Sequence, residues 1–521
     1  MFYPFLTDMQ TTIIPPLKPG KAAQSGQAMV FTLVFGVATA LVALLLFNSG
    51  MLANTKSRLQ NAADAGAYSA GVLQARDHNF SAYTNRAMVA NQVAVVQLAS
   101  LKSYLEDAAD THKRMDGAIL SVEELIPSSK PDWNFGHSLP IESVNSAFAA
   151  VAPVAVRGLD LLIKAYETAQ EAHHVATALN MAQVAGEVVK RNDPDASLTK
   201  AAFFVGRTAI QVNDWSQSTQ HHRANDPSAV ADRFADVVVS SNSTDAFTRN
   251  RVSTPTPKWV GKTVPLCMLL PNYVSSSTTF MFAHAGGSLL SSDKKRWLSL
   301  DATLGGGVQS CTFWYPCWTG ICYTTETTPL IDDNFGLGGS GGAVAGAGGS
   351  YSTATGYKNN PTTSKLYGGG MLLAPPGLIR YGLTGPGSTL DAGGGLQDYY
   401  RDVANPAASI PKDQTPEQNG AAYGVTIEVE HLGADIRTSG KILPGASRLQ
   451  LNDGMKSDTM RTLSAAQSYF YRPKSNGAMF THGGWQRGDN KTELANLFSP
   501  YWQARLSERS TLDRSASWAA Q

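Results

Sequence analysis

The sequence predicts an α+β fold in which a long N-terminal helical part precedes a β-containing, glycine-rich part. Three observations carry this prediction. An uncharged apolar run occupies residues 28–47. No proline interrupts the chain between Pro19 and Pro127, so a helix that begins in the run can continue far beyond it. After Arg251, proline, threonine, serine and then glycine become frequent, and helical periodicity disappears.

Residues 28–47 are predicted to form a transmembrane helix, because the run has the length of about 20 residues that crosses the hydrocarbon core. A cleaved signal peptide is the alternative, since Lys18 and Lys21 form a positive region ahead of the run. The run is longer than the usual signal core of about 7–15 residues, and Met51 occupies the first small position before Ala53. We therefore predict an uncleaved anchor.

Orientation does not follow from the basic residues, because Lys18 and Lys21 before the run are matched by Lys56 and Arg58 after it. The cysteines are more informative. They form an even set in one part of the C-terminal half, namely Cys267, Cys311, Cys317 and Cys322.

This set is typical of an oxidising compartment, and it lacks the paired C-x2-C spacing of zinc sites. We predict disulfides, with three connectivities open. The short N-terminus is accordingly placed inside the cell and the body in the periplasm or outside.

The chain is too long for one core, and its balance of charge excludes one class of function. A net charge of +1, with 16% charged residues, does not resemble a nucleic-acid binder. The predicted segments are a short cytoplasmic N-terminus (1–27), a transmembrane helix (28–47), a helical stalk and bundle (48–250), a β-rich cysteine-containing region (251–333), a glycine-rich flexible segment (334–400) and a mixed α/β C-terminal region (401–521).

Small side chains recur at helical spacing directly after the span, at Ala62, Ala63, Gly66, Ala67 and Ala70. Such a contact stripe lets another helix approach closely. Packing inside a bundle and contact along a filament are both open. A second helical region, residues 144–190, is predicted to pack against this stalk rather than to cross the membrane, because charges such as Arg157, Asp160 and Lys164 cost about 2.5–3.5 kcal/mol each at mid-bilayer.

Later segments give weaker signals. Residues 424–431 alternate with period two and predict a strand whose Glu428 and Glu430 face solvent. A pair of catalytic carboxylates is the alternative. Residues 334–395 are predicted to form loops, and residues 461–471 and 492–505 a mixture of helix and turn.

Other candidate chemical groups have simpler explanations. Residues 338–342 match the G-x-S-x-G pattern, but the pattern requires a preceding strand and a following helix. The pairs His173-His174 and His221-His222 are predicted to face solvent, because adjacent side chains diverge by about 100° on a helix. We predict no enzyme, no cofactor and no metal site.

The segments Ser25–Phe31 and Lys56–Ala70, together with the apolar span between them, resemble the N-terminal region of TadE/TadG-like Flp pilus-assembly proteins. The positions that carry the motif of this family are Arg58, Leu59, Gln60, Asn61 and Asp64, with Ala62 and Ala63 between them.

The resemblance implies a membrane-anchored structural or assembly component of a tight-adherence pilus or secretion system. It also implies the bacterial inner membrane as the location. The implied partners are other pilus-assembly or pilin subunits and further copies of the chain.

Two departures limit what the resemblance implies. Pilin-like relatives carry a glutamate five residues after the cleaved glycine, where this chain has Phe31 after Gly26. Larger relatives carry a D-x-S-x-S metal motif, whereas residues 195–199 end in threonine. Neither processing nor that metal site is predicted.

Two functions of other classes remain as alternatives. The cysteine-containing segment is rich in aromatic residues, including Trp314 and Trp318, and would suit a membrane-tethered adhesin or surface-binding module. An anchored hydrolase would use Glu428 or Ser340.

Overall fold

The computed structural model describes residues 25–125, 140–217, 219, 221–222, 233–251, 253–261, 270–329, 338–346, 357, 388–390, 396, 399–400, 423–439, 459–470 and 495–519. Within these residues, the helices are α1 (Ser25–Leu125), α2 (Ile141–Asn192), α3 (Ala202–Ser216), α4 (Arg233–Val238), α5 (Ala246–Arg249) and α6 (Thr511–Ala519). The strands are β1 (Ala196–Leu198), β2 (His221–His222), β3 (Ser253–Gly261), β4 (Tyr273–Leu290), β5 (Arg296–Cys317), β6 (Gly320–Pro329), β7 (Ser340–Gly346), β8 (Ser388–Leu390), β9 (Tyr399–Tyr400), β10 (Tyr423–Leu432), β11 (Thr459–Phe470) and β12 (Trp502–Leu506). The predicted α+β class and the long N-terminal helix are confirmed.

Helix α1 contacts helix α2 and both sheets. It has 101 residues, so it is about 150 Å long at 1.5 Å per residue. Its apolar first part, residues 28–47, is not buried by the body of the chain, and Phe35 is 76% exposed. Among the side chains that the structure describes, Asn48 is the first buried one along the helix, and it exchanges two hydrogen bonds with Ser439. The body therefore begins where the apolar run ends.

Helix α2 runs antiparallel to α1. Val189 lies against Gly66, whereas Gln170 donates a hydrogen bond to the carbonyl of Ser81, farther along α1. The predicted helix at 144–190 is thus present. By length and composition both α1 and α2 could cross a membrane, but the apolar window of α2 is 22% buried and lies beside α1 beyond the span.

Two sheets pack in succession along α1. The first is antiparallel, with strand order β1-β10-β11-β12, and it covers α1 from about residue 59 to residue 79. The second has the order β3-β4-β5-β7-β8, with β6 paired to the end of β5, and it covers α1 around residues 88–111. Strands β7 and β8 are parallel, and the other pairs are antiparallel.

Three local predictions differ from the structure. Residues 459–470 form strand β11 rather than helix and turn, because this central strand is rich in alanine and serine, which have little preference for strands. Of residues 492–505, the structure describes 495–505, and residues 502–505 belong to strand β12 rather than to a helix. Within the glycine-rich region, residues 340–346 form the buried strand β7 rather than a loop.

Candidate functional site

The contact stripe is buried inside the chain's own body. Ala62, Ala63, Ala67 and Ala70 are at most 1% exposed, and they pack against α2, β10 and β11. Gly66 is the position of closest approach. A Cβ atom there would lie 2.7 Å from Val189 Cγ2 and 3.1 Å from the carbonyl oxygen of Ala185, closer than side chains tolerate. The stripe therefore contacts α2 and the first sheet.

The motif residues beside the stripe connect α1 to both neighbours. Arg58 donates a hydrogen bond of 2.9 Å to Asp193 Oδ1, at the end of α2. Gln60 accepts a hydrogen bond from the hydroxyl of Thr462 and donates one to Asp64, 2.7 Å away. These contacts join α2 and β11 to the same two turns of α1.

The remaining motif positions divide between the core and the surface. Leu59 is fully buried in the core with the stripe, whereas Asn61 is exposed. Most residues of the motif therefore pack α1 against other elements of the same chain.

A group of possible cation ligands lies next to Arg58. One ligand atom each from Asp193, Asp195 and His431 come within 4.8 Å of one another. Asp193 is 1% exposed, and its Oδ2 atom is buried without a hydrogen-bond partner. His431 Nδ1 donates to the carbonyl of Leu432, which leaves Nε2 as the ligand atom. Two carboxylates and one imidazole could hold a divalent cation, in competition with the Arg58 guanidinium for Asp193.

A buried histidine cluster joins α1 to α2 farther along the helix. Both His173 Nδ1 and His174 Nδ1 lie 2.6 Å from the carboxylate of Asp77. Burial alone would raise the pKa of Asp77, but the hydrogen bonds from the two histidines outweigh it and lower the pKa. His174 is buried, so the prediction that this pair faces solvent is wrong. The carboxylate that holds the pair, Asp77, lies on the other helix, so no local pattern marks His174 as buried.

His174 is not arranged as a general base. Burial lowers its pKa, but the hydrogen bond and the charge of Asp77 outweigh burial and raise it. Its Nε2 atom lies 3.1 Å from the carbonyl oxygen of Ser216 and 2.9 Å from the hydroxyl of Thr219. A carbonyl only accepts hydrogen bonds, so Nε2 carries a proton. The cluster acts as an ionic contact between helices.

The neighbouring His78 is neutral. Complete burial lowers its pKa to about 4, and its Nε2 accepts a hydrogen bond of 2.8 Å from Trp215 Nε1. Through Trp215 it attaches α3 to α1.

A second ionic group, the Asp301 cluster, attaches the second sheet to α1. It consists of Asp107, Arg251, His284 and Asp301. Arg251 donates to both carboxylate oxygens of Asp301, at 2.6 and 2.7 Å. His284 lies between Asp107 Oδ2, at 3.2 Å, and Asp301 Oδ1, at 3.1 Å. Burial opposes protonation, but these two carboxylates raise the pKa of His284 to about 9.

The glycine tract with the G-x-S-x-G pattern lies against the same part of α1. A Cβ atom at Gly341 would overlap the carbonyl oxygen of Ser103. The amide of Gly339 donates to Thr111 Oγ1 at 3.0 Å, and that of Ser340 donates to Asp110 Oδ2 at 3.1 Å. Ser340 begins strand β7, with no helix directly after it. Close approach of a strand to a helix explains these glycines.

Glu428 is 1% exposed, so the prediction that it lies on a solvated strand face is wrong. Helices α3 and α6 cover that face. Ser517 of α6 donates to Glu428 Oε1 at 2.6 Å, and Thr208 of α3 donates to the carbonyl of Thr426 at 2.8 Å. Glu430 accepts from Thr199 Oγ1 at 3.2 Å. Both carboxylates serve contacts between elements.

The cysteines lie at one end of the second sheet. Cys317 and Cys322 form a disulfide that closes the β5–β6 hairpin. Cys311 is also disulfide-bonded, and Cys267 lies outside the described residues. Trp318, at the tip of the hairpin, is fully exposed. The side chains of the pair His221-His222 also lie outside the described part.

Comparison with known proteins supports the N-terminal assignment. Residues 26–77 match the model of the Tad family, described as TadE/G-like Flp pilus-assembly. The match covers the apolar span, the motif and the contact stripe. No curated protein and no solved structure matches the chain.

The exposed apolar helix and the family match both indicate attachment to a membrane. Residues 26–77, the first half of α1, are thus similar to the TadE/G-like domain of proteins related to the assembly of Flp, or tight-adherence, pili.

Proposed function

We propose that the chain is a structural component of a bacterial Flp-type (tight-adherence) pilus or secretion system. Residues 28–47 anchor it once in the inner membrane, and the body stands in the periplasm. Its partners are other pilus-assembly or pilin subunits and further copies of itself. It acts by packing and protein contact, without an enzymatic step.

One observation carries this proposal. The exposed apolar span and the buried TadE/G-like segment belong to a single uninterrupted helix, with the body packed on it from Asn48 onward. Such a helix fixes the body to the membrane and holds its far end at a distance. Residues 48–113 alone extend over about 100 Å at 1.5 Å per residue. This shape suits a component that connects an inner-membrane machine to a filament.

The proposal is tested by deleting the chain from its host and counting Flp filaments on the cell surface. Filaments should disappear and return with the intact chain or with Gly36→Leu, which changes an exposed position of the span. Gly66→Leu, which disrupts the packed stripe, should fail to restore them. Ser340→Ala and Glu428→Gln should restore them if the role is structural. Normal filaments in the deletion strain would refute the proposal.

A membrane-tethered adhesin is a second candidate, and the β5–β6 hairpin favours it. The disulfide fixes a tip on which Trp318, Ile321 and Tyr323 are exposed, and exposed aromatic side chains suit stacking on glycans or apolar contact. Trp318→Ala should then abolish adhesion of cells without reducing filament number. Trp518→Ala, at another strongly exposed position, on α6, is the control.

A further inference from the structure

Helix α2 has a second apolar face that no described residue covers. Its buried face contacts α1 and repeats every seven residues, at Val156, Ile163, Gln170 and Thr177. The opposite face repeats with the same period. Its members all lie on the surface: Val144, Ala147, Val151, Val154, Gly158, Leu161, Ala165, Thr168, Ala172, Val175, Leu179 and Ala182.

We call these twelve residues the α2 seam. They alternate in steps of three and four, which is the a and d spacing of a coiled coil. The larger side chains are strongly exposed, with Leu179 at 76% and Val154 at 71%. The hydroxyl of Thr168, the polar member, donates to the carbonyl of Lys164, so its methyl group is left for packing. More than five heptads of a and d positions that are apolar apart from Thr168 are typical of a helix with a partner helix.

We propose that the α2 seam is the interface at which a second copy of this chain packs, helix beside helix. The proposal rests on the membrane anchoring proposed above, because anchors in one membrane make copies stand parallel. Parallel copies present the same seam at the same height, so each a position meets its own counterpart. A twofold axis then makes the seam self-complementary.

The size and composition of the seam fit this occupant. It is about 57 Å long and about 12 Å wide, or roughly 700 Å² per copy, near the ~800 Å² that a standard interface buries on each partner. Gly158, Ala165 and Ala172 occupy consecutive a positions and let two helix axes approach closely.

The flanking charges do not oppose a parallel pair. The g positions carry Arg157, Lys164 and Glu171, whereas the e positions opposite them in a parallel pair are apolar: Phe148, Ala155, Leu162, Ala169 and Ala176. No like charges meet across the seam, and the apolar stems of Arg157 and Lys164 can lie over its edge.

A membrane is not the occupant that this geometry favours. Asp193, just after α2, pairs with Arg58, and the helix runs from there away from the span, so that Asn145 near its start bonds Lys102. The seam therefore stands beside the part of α1 that follows the span.

The test uses the full-length chain in detergent micelles, with its mass measured by light scattering during size-exclusion chromatography. Wild type should be a dimer. Val154→Glu with Leu161→Glu should weaken dimerisation at least about 100-fold, since each buried carboxylate costs more than tenfold. These positions are exposed within one chain, so circular dichroism should stay unchanged. Val205→Glu with Ile210→Glu, at exposed apolar positions of α3, should remain dimeric.

Cross-linking in native membranes gives a second readout. Val154→Cys should form an intermolecular disulfide with its counterpart in the second copy, whereas Asn180→Cys, on the flank of α2, should not. A monomeric wild type, a dimer that survives the two glutamates, or equal cross-linking at both positions would overturn the proposal. A capture of some other protein by the seam, with the chain itself monomeric, would overturn it as well.

The outcome is separable from that of the proposed function. If the wild-type chain is a dimer but its deletion leaves the filaments unchanged, the pilus role is refuted and the proposal for the α2 seam stands. If the deletion abolishes the filaments but the wild-type chain is a monomer, the pilus role stands and the proposal for the α2 seam is refuted.

Discussion

The two parts of α1 on either side of Asn48 share one helix but have opposite surroundings. Between residues 28 and 47 nearly all side chains are apolar and exposed, and a Cβ atom at Gly36 would meet nothing within 4 Å. After Asn48 the helix is amphipathic and buried, and Gly66 has no room for a Cβ atom. The comparison shows that a single helix can have a surface suited to lipid in one part and a surface suited to packing against protein in the next.

The largest expected effect concerns the buried ion pairs that connect the part of α1 after Asn48 to the second sheet. Asp301→Ala leaves Arg251 and the charged His284 buried without their shared carboxylate, so the free energy of unfolding of the body should fall by about 3–5 kcal/mol. Denaturant unfolding of the protein in micelles measures this. Glu187→Ala, which removes an exposed ion pair with Arg191, should cost less than about 1 kcal/mol. Equal losses would mean that the Asp301 cluster does not hold the sheet on α1.

The second prediction compares two glycines of the same helix. Gly66→Leu forces a side chain into Val189 and the Ala185 backbone, and it should destabilise the body by about 3 kcal/mol. Gly36→Leu should leave the protease resistance of the body unchanged and keep the span apolar. Limited proteolysis in membranes provides the measurement. A protease-resistant Gly66→Leu body would contradict the packing described for the stripe.

The third prediction is a dependence of stability on pH that belongs to the body alone. The folded pKa of His284 is about 9, against an unfolded value near 6.5. A raised pKa stabilises the fold fully below pH 6.5, and this contribution disappears as the pH rises to 9. The free energy of unfolding, measured by denaturant, should therefore fall between pH 6.5 and 9.5 by up to about 3 kcal/mol. His284→Gln should remove this drop, and an unchanged slope in that variant would show that another group titrates.

The smallest expected effect separates two neighbours in the motif. Arg58→Gln deprives the buried Asp193 carboxylate of its partner and should cost about 1–2 kcal/mol, whereas the exposed Asn61→Ala should stay within about 0.5 kcal/mol. Thermal unfolding of both variants gives the comparison. If Asn61→Ala abolished filaments without affecting stability, Asn61 would be a contact for a partner.

Much of the helical part could be predicted from sequence, because its signals are local. The apolar run, the lack of proline and the motif at Arg58 to Asp64 are all read directly along the chain, and the change of composition after Arg251 completes the α+β prediction. Strand β10 was also recognisable from its alternation.

The misassigned parts depend on contacts distant in sequence. Glu428 alternates as a solvent-facing residue would, yet α3 and α6 cover it from more than 80 positions away. Gly341 belongs to a glycine tract that is typical of a loop, but in the structure it lies in strand β7 and packs against α1. Val175 and Val189 are both apolar residues of α2, but Val189 contacts α1 and Val175 belongs to the α2 seam. Period alone does not reveal which neighbour covers a face.

The central claim is that the apolar part of α1 lies in the membrane and the body beyond Asn48 is exported. Its most direct test fuses a reporter that is active only outside the cytoplasm after Asn250 and at the C-terminus, with the product sized on a gel from the same cells. The account predicts activity at both positions together with a full-length band. A band shortened by the length of the N-terminus or of the span would show processing instead of an anchor. No activity at either position would place the body in the cytoplasm and contradict the account.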